Sequence, residues 1–125
     1  MNTFEEISEK LFSWANDRNI LFNENASKQL NKLSEEVGEL NGAYLKGKES
    51  EEKDSIGDIL VVLSIYCHQR GLNINECFNG AWEEIKNRKG KTVNGSFVKE
   101  ESKLDYTLTS EEINKIIESK GDNLK

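Results

Sequence analysis

The sequence predicts an all-α protein, a four-helix bundle followed by a C-terminal extended segment and a short helix. Three observations carry that reading. Proline is absent from the 125 residues, so nothing of that kind interrupts a long helix. Apolar residues recur every three or four positions through four successive stretches, the spacing of one helical face. Helix-start and helix-stop residues fall at the ends of those stretches: Thr3 and Ser50 as caps, Gly47, Gly71 and Gly90 as stops.

Each element follows from its own residues. Thr3-Phe4-Glu5-Glu6 is a capping box, and Phe4, Ile7, Leu11, Trp14 and Ala15 continue it as a helix to about Arg18. After a connection over 19–25, Ala26, Leu30, Leu33, Val37, Leu40 and Tyr44 form the stripe of a second helix that Gly47 ends. The third helix is expected from about Glu51 to Arg70, capped by Ser50. Its apolar positions Ile56, Ile59, Leu60, Leu63, Tyr66 and Cys67 are the densest in the chain, which places it at the centre of the bundle or of a dimer interface. Asn73 or Asn75 caps a fourth helix ending near Lys89-Gly90. Beyond it, Asn94-Gly95 between Val93 and Phe97-Val98 fits either a hairpin or an extended tail. Thr109-Ser110-Glu111-Glu112 opens a short last helix. The domain boundary is drawn after Val98: residues 1–98 as the helical domain, 99–125 as a tail.

Composition narrows the function. Apolar residues make up 35% and charged residues 32%, a polar balance that buries a core more readily when helices share faces with a second subunit. The formal net charge of −6 argues against a general binder of duplex nucleic acid or anionic membranes. The longest apolar run, around Ile59–Ile65, is too short for a bilayer and nothing resembles a signal peptide, so a cytoplasmic protein is expected. Cys67 and Cys77 are read as reduced, small core residues. With His68 the single histidine, a multi-histidine zinc site is excluded.

The chemistry is expected on the second and third helices. Gln29, Lys32, Glu36 and Glu39 stack on one face, with Glu35 in the same turn. Carboxylates one turn apart repel by a few tenths of a kcal/mol unless a cation relieves them. Gly38 lies among these acids, leaving room for another helix or a ligand. Asp54 and Asp58 repeat the pattern on the third helix, again with a glycine, Gly57, before the second acid. An antiparallel pair joined by the short turn at Gly47–Ser50 brings the two acidic segments face to face. That set suits a hard cation, Mg²⁺ or Mn²⁺. Spacing alone is equally compatible with a solvated acidic surface.

At these residues the chain resembles the MazG-like, all-α nucleoside triphosphate pyrophosphohydrolases, whose signature is an ExxE pair on one helix and an ExxD pair on the next. Glu36-Val37-Gly38-Glu39 matches the first pair and Ser55-Ile56-Gly57-Asp58 the second. The similarity spans about Trp14 to Val98. The stretch from Glu84 through Lys91 to Glu100 looks especially like small members from phages and Gram-positive bacteria. The resemblance implies a homodimer or homotetramer. It also implies Mg²⁺-dependent cleavage of a nucleoside triphosphate to monophosphate and pyrophosphate, with Glu36, Glu39 and Asp58 as metal ligands. The motif's third acid is Ser55 here, and Asp54, one residue earlier, is the substitute to expect. Glu35 or Glu36 would orient the attacking water. Gln29, Lys32, Arg88, Lys89 and Trp14 are candidates for substrate contacts, each with an ordinary alternative: an ion pair for Lys32, a helix-end cation for Arg88 and Lys89, core packing for Trp14. A dUTP-preferring enzyme of the same kind and a non-catalytic nucleotide- or metal-binding module are the rival readings.

Overall fold

A computed structural model describes residues 1–100 and Lys115. It contains four α-helices and one small sheet: α1 (Phe4–Asp17), α2 (Ala26–Lys46), α3 (Glu49–Arg70), α4 (Ile74–Ile85), β1 (Gly90–Val93) and β2 (Ser96–Lys99), with a single 3₁₀ turn at Asn23–Asn25 before α2. The predicted helix opening at Thr109 falls outside the described residues. The chain divides into two compact units, Met1–Glu83 and Glu84–Lys125.

In the first unit the helices begin and end largely where their caps dictate. Thr3 and Glu6 form the reciprocal capping box, each accepting the other's backbone N–H at 3.2 Å. Asn73 Oδ1 accepts the Glu76 N–H at 3.0 Å and starts α4. Gly47 (φ 68°) and Gly71 (φ 67°) end α2 and α3 in the left-handed region, where a side chain is disfavoured. Ser50 does not cap α3. That helix starts at Glu49, behind Lys48, with no side-chain cap, and Glu49, Glu51 and Glu52 in its first turn interact favourably with the helix dipole instead.

α3 is the central element. It packs along α2 and also against α1, and it carries the largest share of buried residues. The buried side chains are only partly the ones expected: Cys67 is buried, but so are Val62 and Ile65, whereas Ile56 and Leu60 are 49% and 43% exposed. From Ile59 to Cys67 apolar residues run almost unbroken around the helix, so periodicity has no single face to select there. Cys67 is buried as expected and Cys77 is exposed. Their thiols meet across the α3–α4 turn, and burial, then Cys77, pushes the Cys67 thiol above its ordinary range.

Polar groups at the α1–α3 contact satisfy one another. Ser8 and Ser64, both buried, exchange a hydrogen bond at 3.0 Å. His68 Nε2 lies 2.9 Å from the Ser8 carbonyl. A carbonyl only accepts, so Nε2 carries the hydrogen. That leaves His68 unable to act as a base toward Ser8 through this nitrogen, and the trio is structural.

The second unit contains a two-residue hairpin. Gly90 pairs with Lys99 and Val93 with Ser96, and the turn residues Asn94 (φ 50°) and Gly95 (φ 80°) take the mirror-image conformation that matches strand twist. Of the two alternatives open for this segment, the hairpin is the one formed. α4 stops at Ile85, short of Lys89. Lys86, Arg88, Lys89 and Lys91 therefore lie beyond the helix, in the turn and first strand, rather than on its last turn.

Candidate active site

α2 and α3 run side by side across the Gly47–Lys48 turn and enclose a cleft of about 720 Å³. From α2 come Glu35, Gly38, Glu39, Gly42, Ala43 and Lys46; from α3 come Glu51, Asp54, Ser55 and Asp58. Positions 35, 39, 42 and 46 advance by three or four residues, so one stripe of α2 lines the wall. The predicted facing of the two acidic segments is therefore present, and Asp54 shares the cleft with Glu39 and Asp58.

Glu36 sits at the margin of this group. Its carboxyl is pushed above the ordinary range, first by loss of solvent, then by the charge of Glu39 and a hydrogen bond with it, and by Asp58; Lys32 acts in the opposite sense. Oε2 of Glu36 is shielded from solvent and has no hydrogen-bond partner, as is Oε1 of Gln29 two turns earlier. A buried oxygen of this kind is costly unless something donates to it or coordinates it.

Among the described residues, no three carboxylate, histidine or cysteine side chains stand close enough to form a ready cation cage. Glu36 and Glu39 meet, but the carboxylates as a set are neighbours without converging on one point. The donors nevertheless suit a hard divalent cation: all are oxygens, several are carboxylates, and one is an unpartnered shielded oxygen.

The other predicted residues are placed as follows. Lys32 lies near Glu36. Trp14 is 45% exposed and carries the Arg18 guanidinium 4.2 Å above its ring; neither it nor Gln29 lines the cleft. Arg88 and Lys89 belong to the second unit, where Arg88 pairs with Glu84 at 3.0 Å. Gly57 does not mirror Gly38. It lies with Leu60 and Val61 in a separate, mainly apolar groove against α1, although a Cβ at either glycine would meet nothing within 4 Å. Gly38 thus leaves open space above the cleft wall rather than seating a helix of this chain.

Gly42, Lys46 and Glu51 were not anticipated. The signal was present, since extending the Glu35–Glu39 stripe by one further turn and then another reaches Gly42 and Lys46. A lysine before a terminating glycine instead reads as a helix-end cation.

The MazG nucleotide pyrophosphohydrolase domain profile matches residues 24–93, from the 3₁₀ turn before α2 to the end of β1. An uncharacterized 18.2 kDa protein in the rep-hol intergenic region of Haemophilus phage HP1 is 37% identical over 73 residues, 58% of this chain and 45% of the phage protein. The chain thus spans less than half the length of that relative. No solved structure matches.

Proposed function

The chain belongs to the MazG nucleotide pyrophosphohydrolase family, and from that premise we propose that it hydrolyses a nucleoside triphosphate to the monophosphate and pyrophosphate with Mg²⁺ or Mn²⁺. The observation that carries the reading is the unpartnered Glu36 Oε2 beside Glu39 and Asp58, at the margin of an acidic cleft.

Glu36, Glu39 and Asp58 would hold the cation, with Asp54 standing in for the acid absent at Ser55. When bound, the cation polarises the phosphate oxygens and neutralises their charge. The carboxylates by themselves would repel a polyphosphate, a repulsion that the bound cation would offset. Glu35, on the cleft wall, accepts a proton from the attacking water as its oxygen bonds to phosphorus and the bond to the leaving pyrophosphate breaks. Lys32 limits repulsion around Glu36. No side-chain nucleophile is required. The protein acts as a homodimer or homotetramer, a reading supported by the many large apolar side chains left exposed on the helices.

Ser55, buried at 5% exposure on the cleft wall, is the observation that favours the rival reading of a non-catalytic nucleotide- or cation-binding module. One experiment separates the two. The protein is incubated with a panel of ribo- and deoxyribonucleoside triphosphates, dUTP included, in Mg²⁺ and then Mn²⁺, and the products are resolved by anion exchange. Monophosphate with equimolar pyrophosphate is expected. Glu39→Gln should lower turnover by about 100-fold or more, and Asp54→Asn by about tenfold through one lost carboxylate contact. Nucleotide binding without turnover in either metal would establish the module instead.

A further inference from the structure

We propose that Lys46 binds the phosphates beyond the first in the substrate's chain, so that the cleft favours nucleotides carrying a phosphate chain over monophosphates. This rests on reading the cleft as a nucleotide polyphosphate site.

The lining holds five carboxylates and one cation, Lys46. A cation in such surroundings ordinarily pairs with the nearest acid. Here Glu51, which lines the cleft with it, pairs with Lys48 instead, at 3.5 Å. Among the described residues Lys46 enters no ion pair. Nor do the last carbonyls of α2 depend on it, since Ala43 and Tyr44 already receive the Lys48 and Gly47 backbone N–H groups at 2.9 and 3.1 Å. The ammonium is left available within the cleft.

Its position supplies the preference. Lys46 and Glu39 share one stripe of α2, seven residues or about 10 Å apart along the axis. Gly42 lies between them, and a Cβ there would meet nothing within 4 Å, so no side chain divides the carboxylate end from the lysine end. A phosphate group held at Glu39 and Asp58 lies two turns from the lysine. A chain of phosphates that begins at the carboxylates extends over Gly42 toward Lys46 and gains a charge-assisted contact there. A monophosphate forgoes it.

The test is equilibrium binding, which does not depend on turnover. Wild type, Lys46→Gln and Lys46→Arg are titrated calorimetrically in Mg²⁺ with inorganic pyrophosphate and with a nucleoside monophosphate. Helical circular dichroism serves as the check on folding. Lys46→Gln should bind pyrophosphate about ten- to a hundredfold more weakly with monophosphate affinity unchanged, and Lys46→Arg should stay near wild type. Where turnover is measurable, Lys46→Gln should raise KM for a triphosphate more than it lowers kcat. Equal pyrophosphate affinity in wild type and Lys46→Gln overturns this proposal alone, as does an equal loss for both ligands. A wild-type protein that binds neither ligand overturns the reading of the cleft, and this proposal with it.

Discussion

Glu36 is the residue at which the demands of folding and of the cleft oppose each other most directly. Its carboxylate is disfavoured by lost solvent and by Glu39 and Asp58, and one of its oxygens has no donor. A folded-state pKa raised above the unfolded value means that ionised Glu36 destabilises the cation-free fold above that pKa; the penalty fades as pH falls through it. Glu36→Gln removes the charge and keeps the shape. Thermal denaturation in chelator should show the variant at least as stable as wild type, while the rise in Tm that Mg²⁺ gives wild type should be lost. A variant that is less stable in chelator yet retains its Mg²⁺ response would place the cation elsewhere. At this scale part was legible in advance: i, i+3 spacing on one helix sets Glu36 beside Glu39, and the short turn from α2 to α3 brings Asp58 within reach of their charge. What spacing could not reveal was which neighbours already had partners. That Glu51 is held by Lys48 rather than by Lys46 is such a case, and side-chain pairing is not encoded in one stripe.

The elements were readable wherever a local signal fixed them. The Thr3–Glu6 box, Gly47, Gly71, Asn73 and the Asn94-Gly95 turn all act over a few residues, and each functions as expected. The end of α4 was misplaced because Lys86-Asn87-Arg88-Lys89 contains no breaker before Gly90, and the chain leaves the helix at Ile85 with a turn in which Arg88 N–H bonds the Ile85 carbonyl. Gly90 then has a role of another kind. A Cβ at this position would overlap the Val98 carbonyl oxygen and the Phe97 ring, so the strands approach more closely than any side chain at 90 allows. Both strands are exposed throughout, and a two-stranded hairpin has little stability to spare. Gly90→Ala, with an overpacking penalty of about 1–3 kcal/mol, should open it. Amide exchange at Val98 and Glu100, whose N–H groups bond across the hairpin, should rise to unprotected rates while the helical circular dichroism signal is unchanged. Continued protection of those amides would mean that the strands can separate enough to admit the methyl.

Across the whole molecule the described core is thin. The fully enclosed apolar residues are Ala15, Ala26, Ala43, Val62, Ile65 and Cys67, three of them alanines, and α4 buries none of its side chains. Meanwhile Val37 on α2, Ile56 on α3, and Phe78 and Trp82 on α4 are each about half exposed or more (50%, 49%, 75% and 56%). The periodicity that put Val37 and Ile56 on apolar stripes recognised apolar faces but not the surface that covers them, which is why the predicted core of α3 differs from the enclosed one. Soluble monomers rarely leave this much apolar surface in water, and a second copy can cover the same faces on both partners at once. The protein should therefore run as a homodimer or homotetramer in size-exclusion chromatography with light scattering, and its Tm should rise with protein concentration, as linkage of folding to assembly requires. Phe78→Glu places a charge on the most exposed of these aromatics. If α4 lies in the interface, the variant should sediment as a smaller species with a lower, concentration-independent Tm. Wild type that remains monomeric at micromolar concentration, with a Tm that does not move on dilution, would show that this small core suffices without a partner.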